Sequence, residues 1–96
     1  MAQVKFEKDI TGSWIPFTDI IGEVNYTGYY PFQNRGFDTL IAQEIEQETP
    51  TLPAANNSDG YLVLPNKTWT WIPEEGKNLY IRAFNSGCSV NVTFEK

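Results

Sequence analysis

Residues 78–96, NLYIRAFNSGCSVNVTFEK, restrict the possible fold more than any other part of this chain. Leu79, Ile81 and Ala83 alternate with Asn78, Tyr80 and Arg82; Cys88, Val90, Val92 and Phe94 alternate with Ser89, Asn91, Thr93 and Glu95. A period of two puts the members of each set on one face of a pleated strand, so both runs read as half-buried β-strands. Asn85-Ser86-Gly87 lies between them. The spacing predicts a hairpin with a three-residue loop, Gly87 taking the left-handed position of a G1 bulge. On that reading Tyr80 and Arg82 occupy the polar face, and Cys88 points into the core as a small hydrophobe.

The rest of the chain follows the same pattern of short strands between turn residues. Val4 and Phe6 alternate with polar neighbours, and residues 1–8 read as an N-terminal strand or an arm that pairs with a neighbour's sheet edge. SWIPFT follows Gly12, its Pro16 marking an edge or a bulge. NYTGYYPFQ is aromatic on both faces, and Asn34-Arg35-Gly36 is a tight turn. FDTLIAQEIEQE fits helical spacing through Phe37, Leu40, Ile41 and Ile45. A strand fits its surroundings better, with Phe37, Thr39, Ile41, Gln43 and Ile45 on one face and Leu40 on the other. TPTLPAANNSDG is a loop; YLVLP and KTWTWIP are strands, the second with Trp69 and Trp71 on a common face; PEEGK is a turn. These segments predict an all-β fold, an antiparallel sandwich of about seven or eight short strands, jelly-roll or Ig-like, with residues 9–96 forming one domain.

Ninety-six residues suffice for one core and not two. The formal charge is −5 and the seven basic residues are scattered, which argues against nucleic-acid and anionic-membrane partners. No apolar run reaches the ~20 residues that a membrane-spanning helix needs, and MAQVKFEKDI lacks the apolar stretch of a signal peptide; synthesis in a cytosol is expected. The chain has no His, so no Ser-His or Cys-His pair can be built, and its single Cys excludes an internal disulfide. No metal or other cofactor is implied.

Among the carboxylates, Glu44, Glu46 and Glu48 share one face of an extended segment and read as a solvated stripe; nothing sets two carboxyls across a cleft, as glycoside hydrolysis requires. The aromatic residues are the richer signal. Trp14, Tyr29, Tyr30, Phe32, Trp69 and Trp71 suit a core, a protein interface or a platform for stacking sugar rings. Tyr80 and Arg82 are candidate interface anchors, Arg82 alternatively an exposed strand charge with a cross-strand carboxylate.

SWIPFTDIIGEVNYTGYYPFQNRGFDTLIAQEIEQETP, the Asn/Ser/Gly loop after it and NLYIRAFNSGCSVNV together resemble small virion structural proteins of tailed bacteriophages. Such proteins show a Tyr-x-x-Gln-Asn-x-Gly core, an x-Glu-x-x-x-Pro segment and a final Leu-(Tyr/Trp)-x-Arg-x-x-x-x-Gly unit. The pattern falls here on Tyr30, Gln33, Asn34, Gly36, Pro50, Leu79, Tyr80, Arg82 and Gly87, within residues 13–94. The resemblance implies a β-sandwich on the exterior of a phage capsid, made in the host cytoplasm, non-catalytic, acting as a homotrimer that decorates or cements the major capsid protein. It also admits a tail- or fibre-associated module that binds receptors or surface glycans.

Overall fold

The computed structural model describes residues 4–48 and 60–96. Among them the alternating segments form eight strands and one helical turn: β1 (Lys5–Ile10), β2 (Ile15–Pro16), α1 (Thr18–Ile21), β3 (Tyr30–Asn34), β4 (Leu40–Glu46), β5 (Tyr61–Val63), β6 (Thr68–Trp71), β7 (Lys77–Ala83) and β8 (Val90–Glu95). They build two antiparallel four-stranded sheets, β1-β8-β3-β6 and β2-β7-β4-β5, whose inner faces share one core. The chain is an all-β sandwich, as its alternation predicts. Of the loop read over residues 49–60, residues 49–59, Pro50 among them, lie outside the described residues.

The pairing follows a single rule. β1 pairs with β8, β2 with β7, β3 with β6 and β4 with β5. The chain is therefore one long hairpin whose successive rungs alternate between the two sheets, joined by β3–β8 in the first and β4–β7 in the second. That is the jelly-roll order, and it sets aside the Ig-like alternative.

The rule also corrects the reading of residues 78–96. β7 and β8 are strands, but they lie in different sheets and do not form a hairpin. Gly22, Gly60 and Gly76 are the glycines with positive φ among the described residues, so Gly87 makes no G1 bulge. Instead residues 84–89 cross the sandwich beside the β1–β2 connection. Ala83 N–H donates to Thr11 O at 2.7 Å, and Gly12 packs so tightly on the Ser86 backbone that a Cβ there has no room. Cys88 precedes β8 on this crossing and is half-buried, not a core residue.

Two further expectations are adjusted and a third is narrowed to one of its alternatives. The strand at the N-terminus spans Lys5–Ile10, across the 8/9 boundary, and pairs along its length with β8 of its own chain. Residues 18–21 after SWIPF form a helical turn that ends at Gly22, φ 82°. Pro16 lies, as its missing N–H requires, on an edge strand, the two-residue β2.

The core is aromatic. Phe17, fully buried between β2 and α1, has its ring centroid 5.5 Å from Phe32, 5.4 Å from Trp71 and 5.5 Å from Phe94, two of these contacts edge-on. Tilted and edge-to-face pairs at this spacing add about 0.5–1.5 kcal/mol each beyond the area they bury. Around the cluster, Leu40, Ala42, Val63, Leu79, Ile81 and Ala83 of the second sheet face Ile10, Val90, Val92 and Phe94 of the first.

The second sheet is buried on its outer side as well. Ile41, Ile45, Asn78 and Arg82 alternate with the core residues of β4 and β7, pair as Ile41–Arg82 and Ile45–Asn78, and are all buried. Arg82 is therefore buried within the protomer and not an exposed strand charge.

Candidate functional site

β5 and β6 are edge strands of opposite sheets, brought to the same side of the sandwich. Two features of the sequence place them there. Gly60 enters β5 at φ 126°, and a Cβ on it would lie 2.7 Å from the Ala42 carbonyl oxygen, so a side chain at this position would push β5 off β4. The register Tyr30–Trp71 and Phe32–Trp69 turns both tryptophans of β6 toward the second sheet. The chain thereby acquires a cleft of about 240 Å³ lined by Glu44, Tyr61, Trp69, Thr70, Trp71 and Ile72. Sites for drug-sized ligands run to roughly 300–1,000 Å³, so this one accepts a single side chain or ring.

Within the cleft Glu44 occupies the inward side of β4, in phase with Leu40 and Ala42 and opposite Leu79. A carboxylate on that side needs donors, and the Trp71 indole N–H donates to Glu44 Oε2 at 3.0 Å. This charge-assisted bond ties the two sheets together and fixes the direction of the carboxylate. Trp71 is otherwise in the core. Trp69, half-buried, packs edge-on against Phe32 at 5.7 Å and stacks with Tyr61 at 4.9 Å and 30°. The wall of the cleft is thus an aromatic pair with a pinned anion beside it, and its mouth carries Tyr61 and Ile72, 55% and 74% exposed.

The residues singled out in the sequence are scattered. Phe32, Tyr30 and Trp71 are core residues, and Tyr30 Oη accepts the Asn25 N–H at 2.6 Å. Trp69 and Trp71 meet at the cleft. Tyr29 is exposed and apart from it. Tyr80, half-buried, faces outward between Pro16 and Gln43. Arg82 and Trp14 come together on that same outer side, the guanidinium carbon 4.9 Å from the indole centroid. Arg82 Nη1 donates to the carbonyls of Ala83 and Phe84 at 2.9 and 2.8 Å, and burial pushes the guanidinium pKa down from its ordinary value. Trp14, half-buried, thus covers a buried cation.

Glu44, Tyr61 and Ile72 were not among the candidate site residues. The signal for Glu44 was its phase with Leu40 and Ala42, which marks a carboxylate on the core side; its phase with Glu46 and Glu48 hid that. Glu46 and Glu48 are exposed as expected, and Glu74 pairs with Lys77 at 3.3 Å, the hydrogen bond and charge raising the lysine's pKa. Among the described residues no three His, Cys, Asp or Glu side chains are grouped to hold a metal ion. The Cys88 thiol is held above its ordinary pKa, first by its hydrogen bond to Asp38, then by burial and the carboxylate's charge.

Comparison with protein-family models, with curated proteins and with solved structures finds no match.

Proposed function

We propose that the protein is a non-catalytic structural protein of a tailed-bacteriophage virion, a homotrimer that decorates the capsid exterior and braces the major capsid protein through protein–protein contacts. The motifs at Tyr30–Gly36 and Leu79–Gly87 motivate the reading. The observation that carries it is the exposure of Tyr61, Leu62, Leu64 and Ile72 on and beside the β5–β6 margin, each more than half accessible. Large apolar side chains gathered at a sheet margin are the material of protein interfaces. A specific interface of standard size takes about 800 Å² from each partner, and a slab of 36 × 30 × 17 Å has broad faces on which to provide it. Jelly rolls recur in viral capsid domains, an argument by analogy of fold only.

Quantitative mass spectrometry of purified particles from the source phage tests the reading. Copies in the hundreds, relative to the major capsid protein, are expected; complete absence from the particle overturns it.

A second reading, a carbohydrate-recognition module, is favoured by one feature, the exposed Tyr61 ring stacked on Trp69 beside a carboxylate. Glycan titration followed by tryptophan fluorescence checks it, since Trp69 and Trp71 both line the cleft and a ring seated there would shift their emission.

A further inference from the structure

The turn between β3 and β4 presents two exposed side chains, Arg35 and Phe37. Phe37 is 99% exposed. Arg35 is exposed; its guanidinium Nη1 makes a long contact to Gln33 Oε1 at 3.5 Å, and among the described residues no carboxylate lies in ion-pair range. The turn that carries them is firmly held: Arg35 N–H donates to Asn91 O at 2.8 Å and Gly36 N–H to Asn34 Oδ1 at 2.9 Å. A cation and an aromatic ring are thus displayed on a rigid turn, where little conformational entropy remains to be lost on binding.

The cleft at β5–β6 has the complementary chemistry. It holds one carboxylate, Glu44, with four lone-pair positions of which Trp71 takes one, leaving both oxygens able to accept a guanidinium fork. Its mouth is Tyr61 and Ile72, an exposed ring and an exposed aliphatic side chain. A 240 Å³ opening admits one side chain.

We infer that the occupant of the cleft is a second copy of this chain: Arg35 of one protomer pairs with Glu44 of the next, while Phe37 covers Tyr61 and Ile72. Protrusion and cleft are different surfaces, so the contact is head-to-tail, the kind that closes into a cyclic ring when the rotation permits. This deepens the homotrimer of the proposed function and rests on it only for the number of copies. A free basic peptide or a glycan in the same cleft is the competing occupant.

Sedimentation of the purified chain at about 100 µM, without capsid, is the test. A closed ring, three copies under the proposed function, is expected. Phe37→Ala removes an almost fully exposed ring and leaves the fold alone; Glu44→Gln keeps an acceptor for the Trp71 indole while removing the charge. Each is expected to weaken association by about tenfold or more. Arg35→Glu is expected to abolish it, and Arg35→Glu combined with Glu44→Arg to restore it where circular dichroism shows that variant folded. A parent chain that is monomeric at this concentration overturns the inference. So does an oligomer that Phe37→Ala and Glu44→Gln leave unchanged, since the cleft is then free for another occupant. Particle copy number is read separately, so a ring that forms through this contact on a chain absent from the virion overturns the function and leaves the contact standing.

Discussion

The side-chain amide of Asn34, at the end of β3 in one sheet, donates to the carbonyl of Val63, at the end of β5 in the other, at 2.9 Å. The same amide nitrogen donates to Asp38 O at 2.7 Å, and Oδ1 accepts the Gly36 N–H. One fully buried side chain thus closes the β3–β4 turn and stitches the two sheets together. This gives a structural reason for Asn34 and Gly36 at this turn: Asn34 supplies the three bonds and Gly36 packs closely on Val90.

Asn34→Ala leaves the Val63 and Asp38 carbonyls and the Gly36 amide without their partner. Each buried group left unsatisfied costs roughly 1–3 kcal/mol, and a total loss of about 2–4 kcal/mol is expected from the urea midpoint. A shift of the midpoint equivalent to less than about 0.5 kcal/mol, the range of ordinary surface changes, would show that the amide is dispensable.

Two phenylalanines separate burial from composition. Phe17→Ala opens a cavity at the centre of the aromatic cluster and is expected to cost about 3–5 kcal/mol. Phe37→Ala, at a ring exposed over 99% of its surface, stays within about 0.5 kcal/mol of the parent when both are dilute enough to be monomeric. Thermal melts of the two variants should lie far apart.

Arg82→Ala distinguishes a structural guanidinium from an interface anchor. The substitution takes the donor away from the Ala83 and Phe84 carbonyls and uncovers Trp14. It is expected to lower stability by about 2–4 kcal/mol. An anchor would instead weaken assembly at unchanged stability, so denaturation and sedimentation of the same variant decide the matter.

Cys88 should react slowly with a thiol reagent at neutral pH, because Asp38 and burial hold its pKa up and the thiolate is the reactive species. The sign is fixed by the charge: a carboxylate that accepts the S–H bond favours the neutral thiol. Asp38→Asn removes that charge, lowers the thiol pKa and speeds labelling in the folded protein. The rate of the parent should rise as pH climbs through the elevated pKa, later than the rate of the urea-unfolded chain. Coincident pH profiles would remove Asp38 from the account.

Much of the strand pattern was legible in the residues. Val90, Val92 and Phe94 alternate in the sequence and face the core in β8; Trp69 and Trp71 share a face and both turn inward; within FDTLIAQEIEQE, Leu40–Glu46 is a strand despite its helical spacing, while Phe37 stays on the exposed turn before it. The candidate site was legible only in part. Trp69 and Trp71 belong to it, whereas Glu44 was hidden in an acidic run and Tyr61 joins it from the far side of residues 49–59. Arg82 misled because a charge alternating with Ile81 and Ala83 reads as solvent-facing, whereas in the fold Arg82 is buried with Trp14 against its guanidinium.

The sequence by itself determined where the chain is extended, because side-chain alternation is a local property of each strand. Which strand pairs with which was decided by the tertiary structure. The connection over residues 84–89 serves a hairpin as readily as a crossing of the roughly 10 Å between packed sheets, and no residue in it distinguishes the two. The choice is made by distant partners: β8 gains β1 and β3, β7 gains β2 and β4, and the apolar faces of both close on Phe17. A hairpin would keep β7 and β8 in one sheet; the crossing lets each find two neighbours and puts their inner faces on opposite walls of one core.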